Sequence, residues 1–159
     1  MSLDLASAMG TAGRLAAIAS DNSSANERAE AILQELKSLI PLEAAEIIAL
    51  NPFAASTHES STVLANFGYS DKVLDNLHSE EFFEIMNFLE LPSHGRPVRM
   101  KDLPGDPLDN WAVSDVLLPA GYREGMTMCL RTSDGRFVGV INLSPTDNAH
   151  PSDLARDVL

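Results

Sequence analysis

The chain is poor in cysteine and has no long apolar run, and each shortage excludes a class of protein. Its single cysteine, Cys129, forms no internal disulfide and no cysteine-rich metal site, which favours a reducing compartment. No apolar run approaches the roughly 20 residues that span a bilayer, and the N-terminus lacks the basic and apolar segments of a signal peptide. We therefore expect a cytoplasmic protein with no membrane partner.

Basic residues are also scarce, since 11 Lys and Arg stand against 23 Asp and Glu, a formal net charge of −12. Proteins bind nucleic acids mainly through cations at the phosphates, so this chain alone is not expected to bind DNA. What the chain does have is 159 residues, 45% of them hydrophobic, which suffices for one domain with a substantial core.

Two helices are predicted at the start of the chain. Residues 3–19 are rich in alanine with apolar residues at helical spacing, but few are large, which suggests a peripheral helix that packs against a partner. Ser24 and Glu27 form a capping box, followed by apolar residues with a 3.6-residue period. We predict an N-terminal helical extension at 1–24 and the main domain at 25–159, truncated within its C-terminal helix.

The middle of the chain combines strand and helix signals. The β-branched and aromatic content of 43–52 and 60–69 predicts the two strands of a hairpin. Short helical segments follow at 71–77 and 80–91, the second apolar around most of its circumference and therefore expected to be buried on more than one side. The last residues, 151–159, begin a helix and then stop, which suggests that the chain was cut from a longer protein.

An irregular stretch follows these helices. Pro97 restricts the strand predicted at 96–103 to the edge of a sheet, since proline has no N–H for a central ladder. Arg99 on this strand is the cation to test against an anionic ligand. The only tryptophan, Trp111, begins a predicted helical turn at 111–118, and we expect the wall of a pocket there.

The segment GMTMCLRTSDGRFVGVINLS (125–144) predicts a β-hairpin about Asp134 and Gly135, which readily adopt the positive φ angles of a type I′ turn. One face then carries apolar residues and glycine, namely Met126, Met128, Leu130, Gly139, Ile141 and Leu143. The other face mixes apolar with polar residues, namely Thr127, Cys129, Arg131, Val138, Val140 and Asn142. Within the first face, Gly139 would allow the backbone of a helix to approach closely.

The order α-α-β-β-α-β-loop-β-β-α and the segment LLPAGYREGMTMCLRTSDGRFVGVINLS resemble a GAF domain over roughly residues 25–159. The segment is most similar to GAF domains that precede LuxR-type helix-turn-helix domains in bacterial transcriptional regulators. The resemblance implies an α+β, GAF-like (PAS-related) fold with a central antiparallel sheet of five or six strands. The terminal helices would cover the Met126 face, and the helical insert and loops would form a pocket on the Thr127 face.

The sequence departs from several specialised GAF domains. It lacks the dispersed Asn-Lys-Phe-Asp-Glu signature of those that bind cyclic nucleotides. Cys129 has no second cysteine for the chemistry of the methionine sulfoxide reductases, and it lies in a strand rather than where bilin-binding relatives attach their chromophore. We predict no metal or cofactor, with a haem ligand at His78 or His94 as the alternative. Solvated positions are expected for the four histidines, His58, His78, His94 and His150.

Five residues besides Arg99 are candidates for ligand contact. Thr127 and Asn142 would supply hydrogen bonds, although a purely structural pair across the strands explains them equally well. Trp111 would stack on the ligand and Cys129 would line the pocket. Phe67 would join them if its strand presents it to the same face. Each aromatic residue is also consistent with an ordinary place in the core.

A sensor requires less of the sequence than an enzyme does. No nucleophile, base and orienting group occur together, so we expect no catalytic activity. We predict a small-molecule-sensing regulatory domain of a transcriptional regulator, homodimeric through its terminal helices, whose dimer geometry responds to an unknown ligand. DNA would be bound only by a separate helix-turn-helix domain. The alternatives are a ligand-free dimerisation domain, which the many Phe and Met residues favour, and a GAF-fold enzyme.

Overall fold

The structure is a computed structural model that describes residues 4–56, 58–93 and 95–159. The first three residues of the predicted extension, His94 and the side chain of His58 lie outside this description. Helices and strands follow the predicted order: α1 (Leu5–Ala19), α2 (Ala25–Leu39), β1 (Leu42–Leu50), β2 (Ser61–Phe67), α3 (Asp71–Leu77), α4 (Glu80–Phe88), β3 (Val98–Arg99), β4 (Met126–Arg131), β5 (Phe137–Pro145) and α5 (Asp153–Val158). Among the described helices, none is both long and apolar enough to traverse a bilayer.

Serine side chains determine where four of the helices begin. Ser24 Oγ accepts a hydrogen bond from the Glu27 N–H, and the Glu27 carboxylate accepts one from the Ser24 N–H, which confirms the predicted capping box of α2. Ser70, Ser79 and Ser152 each accept a hydrogen bond from the first turn of α3, α4 and α5. Each such cap stabilises a helix by about 1 kcal/mol, so these starts are encoded locally.

The five strands form one antiparallel sheet, as predicted, and the structure gives their order as β2-β1-β5-β4-β3. The edge strand β3 has two residues, much shorter than the strand predicted at 96–103. It ends early because the Arg99 N–H donates to the Asp102 carboxylate, and the chain turns into a 3₁₀ turn at Met100–Asp102.

From Met126 to Leu130 the register of the β4–β5 hairpin is the predicted one, with Cys129 opposite Val140 and Met126 opposite Leu143, but it shifts by one residue at Arg131, which pairs with Phe137. The predicted type I′ turn is wrong. The N–H of Gly135 donates to the Thr132 carbonyl, and only this glycine of the turn has a positive φ, 86°. The loop is therefore one residue longer than predicted, and a bulge beside Leu130 offsets the extra residue.

The two faces of the sheet bury separate hydrophobic clusters, which confirms the predicted division. On the Met126 face, Ile141 and Leu143 pack with residues of α1, α2 and α5. On the opposite face, Val140 and Cys129 pack with α3, α4 and the segment that contains Trp111. The sheet therefore separates a helical layer from the layer that covers the predicted pocket.

Gly139 is required by a strand rather than by a helix, which corrects the sequence interpretation. A Cβ atom at this position would lie 2.6 Å from the carbonyl oxygen of Ile48 on the neighbouring strand β1. No ordinary Cβ contact is that short, so a side chain here would push β1 and β5 apart. The glycine thus allows the two central strands to pair.

Helix α1 packs on α2 and α5 of its own chain, although a partner was predicted for it. Ala8 is fully buried in this layer, and the Arg14 guanidinium lies 2.7 Å from the Glu35 carboxylate on α2. The opposite face of α1 remains apolar and open, with Leu5 59% and Met9 64% exposed. A partner is therefore not needed for the inner face, while the outer face remains available to one.

The layer on the pocket side combines α4 with an irregular segment. Phe82, Phe83 and Met86 of α4 are buried, but Phe88 is 86% exposed, so the prediction of burial around most of the helix is wrong at its end. The predicted turn at 111–118 is a π-helical turn at Ala112–Leu117, a form that is frequent near functional sites.

Candidate functional site

A cavity lies between the sheet and the pocket-side layer, on the face that carries Thr127. Strands β3, β4 and β5 form one side, and α3, α4 and residues 103–117 form the other. Its volume is about 60 Å³, which accommodates a few water molecules or a small ligand at roughly 10–15 Å³ per water. Pockets for drug-sized ligands measure about 300–1,000 Å³, so a larger ligand would have to displace part of the wall.

The wall of the cavity is mostly apolar, with Thr127 and Asn142 together at one end and Tyr69, Arg99 and Asn110 elsewhere in the lining. Six of its apolar residues are Leu77, Phe82, Met86, Leu91, Met100 and Leu117. At the polar end, Thr127 Oγ1 donates to Asn142 Oδ1 over 2.9 Å. The predicted structural pair and the predicted pocket contacts are thus the same two residues, since both also line the cavity.

A buried carboxylate that the sequence analysis missed lies beside Asn142. Glu46 of β1 is fully buried, and its Oε1 accepts a hydrogen bond from Asn142 Nδ2 over 2.9 Å. Its Oε2 lies 2.9 Å from Nε2 of His78 at the end of α3. Both oxygens of the buried carboxyl group therefore have a polar partner, as buried polar groups require. A continuous hydrogen-bonded chain therefore runs from Thr127 in the cavity to His78.

This chain also changes the interpretation of the histidines. The His78 side chain is only 18% exposed and is held by Glu46, so the expectation of a solvated loop histidine is wrong for it. His150 is more exposed and pairs with Asp147, and the hydrogen bond from the imidazole lowers the pKa of that carboxyl group. In the described part of the chain, no three His, Cys, Asp or Glu side chains are grouped to hold a metal ion.

A hydroxyl, an imidazole and a carboxylate lie in line beyond the cavity. Ser61 Oγ is 3.4 Å from His78 Nδ1, and His78 Nε2 contacts Glu46. A base that activates a nucleophile lies within about 2.6–3.2 Å of it. The Ser61–His78 distance exceeds that range, so the arrangement resembles a structural chain more than a catalytic triad.

Two predicted contact residues lie near the cavity without lining it. Trp111 is half-buried and lines a surface groove of about 310 Å³, which shares the residues Ile85, Leu89, Leu103 and Asn110 with the cavity wall. Cys129 lies on the cavity face, beyond the lining residues. Burial raises the pKa of its thiol to about 11.

Phe67 lies on the other face of the sheet, so the condition under which it would contact the ligand is not met. It pairs with Ala45, whose side chain belongs to the helix-side cluster, and Phe67 packs against that same cluster. The ammonium group of Lys37 on α2 lies 4.2 Å from the centre of its ring. The residue therefore attaches α2 to the sheet.

Arg99, the cation predicted to contact an anionic ligand, lines the cavity, but its guanidinium is already engaged by other residues. Its side chain is 4% exposed and donates to the Asp102 carboxylate over 2.7 and 2.8 Å and to the Pro151 carbonyl over 2.9 Å. Its Nη2 also lies 2.8 Å from the Asp153 carboxylate in the first turn of α5. The guanidinium therefore points towards α5, where the Asp153 carboxylate and the Pro151 carbonyl accept its hydrogen bonds.

The sequence contained one signal for the hydrogen-bonded chain. Glu46 interrupts the apolar strand EAAEIIAL and shares the face of Ala44 and Ile48, two residues of the pocket-side core. A charge at such a position needs a buried partner. The partner, His78, is 32 residues away along the chain, and no local pattern connects the two residues.

Comparison with known proteins identifies the fold. A domain assigned to a two-component sensor histidine kinase protein from Sinorhizobium meliloti 1021 is similar with a TM-score of 0.57 and 14% identity, over 86% of this chain and 83% of that one. The phycocyanobilin-bound GAF domain of a cyanobacterial phytochrome is similar with a TM-score of 0.63 and 13% identity, over 99% and 88%. No protein-family model and no curated protein matches the chain. The α+β fold is therefore GAF-like, as predicted.

Proposed function

We propose that this GAF-like domain is a small-molecule-sensing regulatory domain in which an occupied cavity repositions the C-terminal helix α5. A sensing role is supported by the descriptions of the two similar structures, one assigned to a sensor histidine kinase and one from a phytochrome. The observation that carries the proposal is the segment 98–102, which contacts the cavity and α5 at the same time.

Neighbouring residues of this segment serve the two sites. Val98, Arg99 and Met100 all line the cavity, and the guanidinium of Arg99 also binds Asp102 and Asp153. Hydrogen bonds weaken steeply when their geometry changes. A ligand that displaces Val98 or Met100 would therefore disturb the Arg99 contacts with the first turn of α5. A ligand can displace segment 98–102 in this way only if it binds the displaced position of the segment more tightly than the original one.

The output we propose is a change in the geometry of a homodimer formed through the terminal helices. Leu5 and Met9 give the outer face of α1 exposed apolar side chains, and α1 lies against α5. The complete protein would be a LuxR-type transcriptional regulator. Because this domain carries a net charge of −12, DNA contact would fall to a separate helix-turn-helix domain.

A ligand-free dimerisation domain is the second candidate, and the small cavity favours it. A volume of about 60 Å³ is far below that of a pocket for a drug-sized ligand. We do not propose an enzyme. The raised pKa of the Cys129 thiol disfavours the reactive thiolate, and the Ser61–His78 distance of 3.4 Å argues against an activated serine.

Native mass spectrometry of the purified chain, compared with its denatured mass, tests the proposal. We expect a small molecule to be retained at about one per chain, or a hit to be found when small, uncharged metabolites are screened. Amide hydrogen exchange should then change in α5 when the ligand is added. A bare mass and an empty screen would refute the sensing role and leave dimerisation as the function.

Two arginine variants test the coupling to α5. Arg99→Met removes the contacts with Asp153, so the exchange response of α5 should be lost. Because Arg99 also lines the cavity, the response is compared at saturating ligand, which separates it from any change in affinity. Arg136→Met removes an exposed ion pair with Asp134 at the hairpin turn and should keep the response. A full response of α5 in the Arg99 variant would contradict the proposed route.

A further inference from the structure

The polar end of the cavity has a defined hydrogen-bond direction. The NH₂ group of Asn142 faces Glu46, because Asn142 Nδ2 donates to Glu46 Oε1 over 2.9 Å. The amide oxygen of Asn142 must then face Thr127, whose hydroxyl donates to it. The two hydrogen bonds together define both the amide orientation and the direction of the Thr127 hydroxyl.

Acceptors outnumber donors at this end of the cavity. With its proton directed to Asn142, Thr127 Oγ1 keeps two lone pairs, and Asn142 Oδ1 keeps one. One N–H of the Asn142 amide also remains, so three acceptor positions stand against one donor. Within the described part of the chain, neither side chain has a hydrogen-bond partner beyond this chain.

The charges around the cavity disfavour an anion. Among the described residues that line it, Arg99 is the only charged one, and its guanidinium is engaged by Asp102, Asp153 and the Pro151 carbonyl. At the polar end, the groups without a described partner include the lone pairs of Thr127 Oγ1 and Asn142 Oδ1. The Glu46 carboxyl group is hydrogen-bonded to the other end of the Asn142 amide. A ligand carboxylate or phosphate would meet acceptors without a free cation to pair with.

We propose that the cavity selects small, uncharged, largely apolar molecules that donate an N–H or O–H hydrogen bond to Thr127 Oγ1. The inference rests on the proposed sensing function and names the chemical class of its ligand. The apolar part of the wall accommodates the body of the molecule, while the donor bonds to the hydroxyl oxygen of Thr127, a lining residue whose proton is directed to Asn142. Of two molecules with one shape, the donor should bind more tightly.

Pyrrole and furan are a matched pair of probes for this rule. Both are five-membered aromatic rings, but pyrrole donates one N–H and furan has no donor. Binding can be followed by NMR on ¹³C-methyl methionine, because Met86 and Met100 line the cavity, while the exposed Met9 on α1 serves as an internal control. We expect pyrrole to bind about tenfold more tightly than furan, in keeping with one satisfied acceptor.

Variants at position 127 assign the preference to the hydroxyl. In Thr127→Val the preference for pyrrole should fall to roughly twofold because a methyl group replaces the acceptor, while furan affinity is retained. Thr127→Ser keeps an acceptor and should restore the preference. Thr62→Val, on an exposed position of β2, is the matched control and should behave as the wild type.

The outcomes separate this inference from the proposed function. Equal binding of pyrrole and furan at the cavity methionines would overturn the donor rule and leave a functional ligand site. An unchanged pyrrole preference in Thr127→Val would overturn the role of Thr127. If neither probe shifts these methionines but native mass spectrometry finds a retained molecule, the ligand class is refuted. If neither the NMR titration nor native mass spectrometry detects a ligand, both the ligand class and the sensing function are refuted.

Discussion

Replacing Arg99 by methionine gives the sharpest test of how the sheet holds α5. Methionine preserves much of the apolar stem of arginine, so the substitution removes the guanidinium without opening a large cavity. Three described partners lose their donor: the carboxylates of Asp102 and Asp153 and the carbonyl of Pro151. We expect the domain to remain folded but to lose stability at neutral pH.

The magnitude follows from the burial of each contact. A hydrogen bond to a charged group contributes roughly 1.5–3 kcal/mol and a neutral one about 1 kcal/mol. Asp102 is 26% exposed, so water replaces part of what its carboxylate loses, and the mostly exposed Asp153 rehydrates. Together with the Pro151 carbonyl, the loss should reduce the free energy of unfolding by about 2–3 kcal/mol.

The effect should depend on pH in a defined direction. Hydrogen bonds from the Arg99 guanidinium lower the pKa of Asp102 from 3.8 to about 2, and the same guanidinium lowers the pKa of Asp153. Because these values are lower in the folded state, the ionised carboxylates stabilise the fold above about pH 4. The difference between the wild type and Arg99→Met should therefore shrink as the pH falls from about 4 towards 2.

Urea denaturation of both proteins at pH 7 and at several pH values below 4 measures this difference. Arg136→Met is the matched control, since Arg136 and Asp134 form an ion pair in which both side chains are at least half exposed. Its stability should barely change. An Arg99 variant as stable as the control at pH 7, or a stability difference that grows on acidification, would refute the reasoning.

Two further predictions concern the packing of the sheet. Gly139→Ala should lower the free energy of unfolding by about 1–3 kcal/mol, because the new Cβ meets the Ile48 carbonyl at 2.6 Å. The control Gly13→Ala, in open space on α1, should stabilise the domain by up to about 1 kcal/mol. Equal effects of the two substitutions in thermal or urea denaturation would contradict this. With its raised pKa, Cys129 should be alkylated slowly by iodoacetamide at pH 7.5 and faster up to about pH 10, as followed by intact mass; rapid alkylation at pH 7.5 would contradict its burial.

The fold could be predicted from the sequence because its signals are local or periodic. Ser24 with Glu27 starts α2 through contacts within one turn, and the alternation along β4 and β5 assigns each residue to a face. The predicted pairs from Met126 to Leu130 are correct although the predicted turn type is wrong, because the bulge beside Leu130 offsets the extra residue of the loop. A pattern of alternating faces thus constrains register more strongly than the two residues of a turn.

Side-chain directions at the edges of the sheet could not be predicted in the same way. The direction of Arg99 depends on Asp153, which is 54 positions away and reaches it only after the sheet and α5 have packed. The face of Phe67 depends on its pairing with Ala45, and a bulge between Ile47 and Ile48 shifts that register. For both residues, tertiary contacts that have no local sequence signal determine which partners the side chain meets.

The structure connects the cavity to two separate places, and this bears on how a sensor would use it. The hydrogen-bonded chain from Thr127 through Glu46 ends at His78, within the pocket-side layer. The contacts of Arg99 pass around the edge of the sheet to α5 in the helical layer. A donor group on the ligand would bond to Thr127, at the start of the hydrogen-bonded chain, and would thus change the affinity. The body of the ligand would press on Val98 and Met100 and so change the contacts of Arg99 with α5. Affinity and output should therefore be separable by mutation, since changes at Thr127 alter binding and changes at Arg99 alter the response of α5.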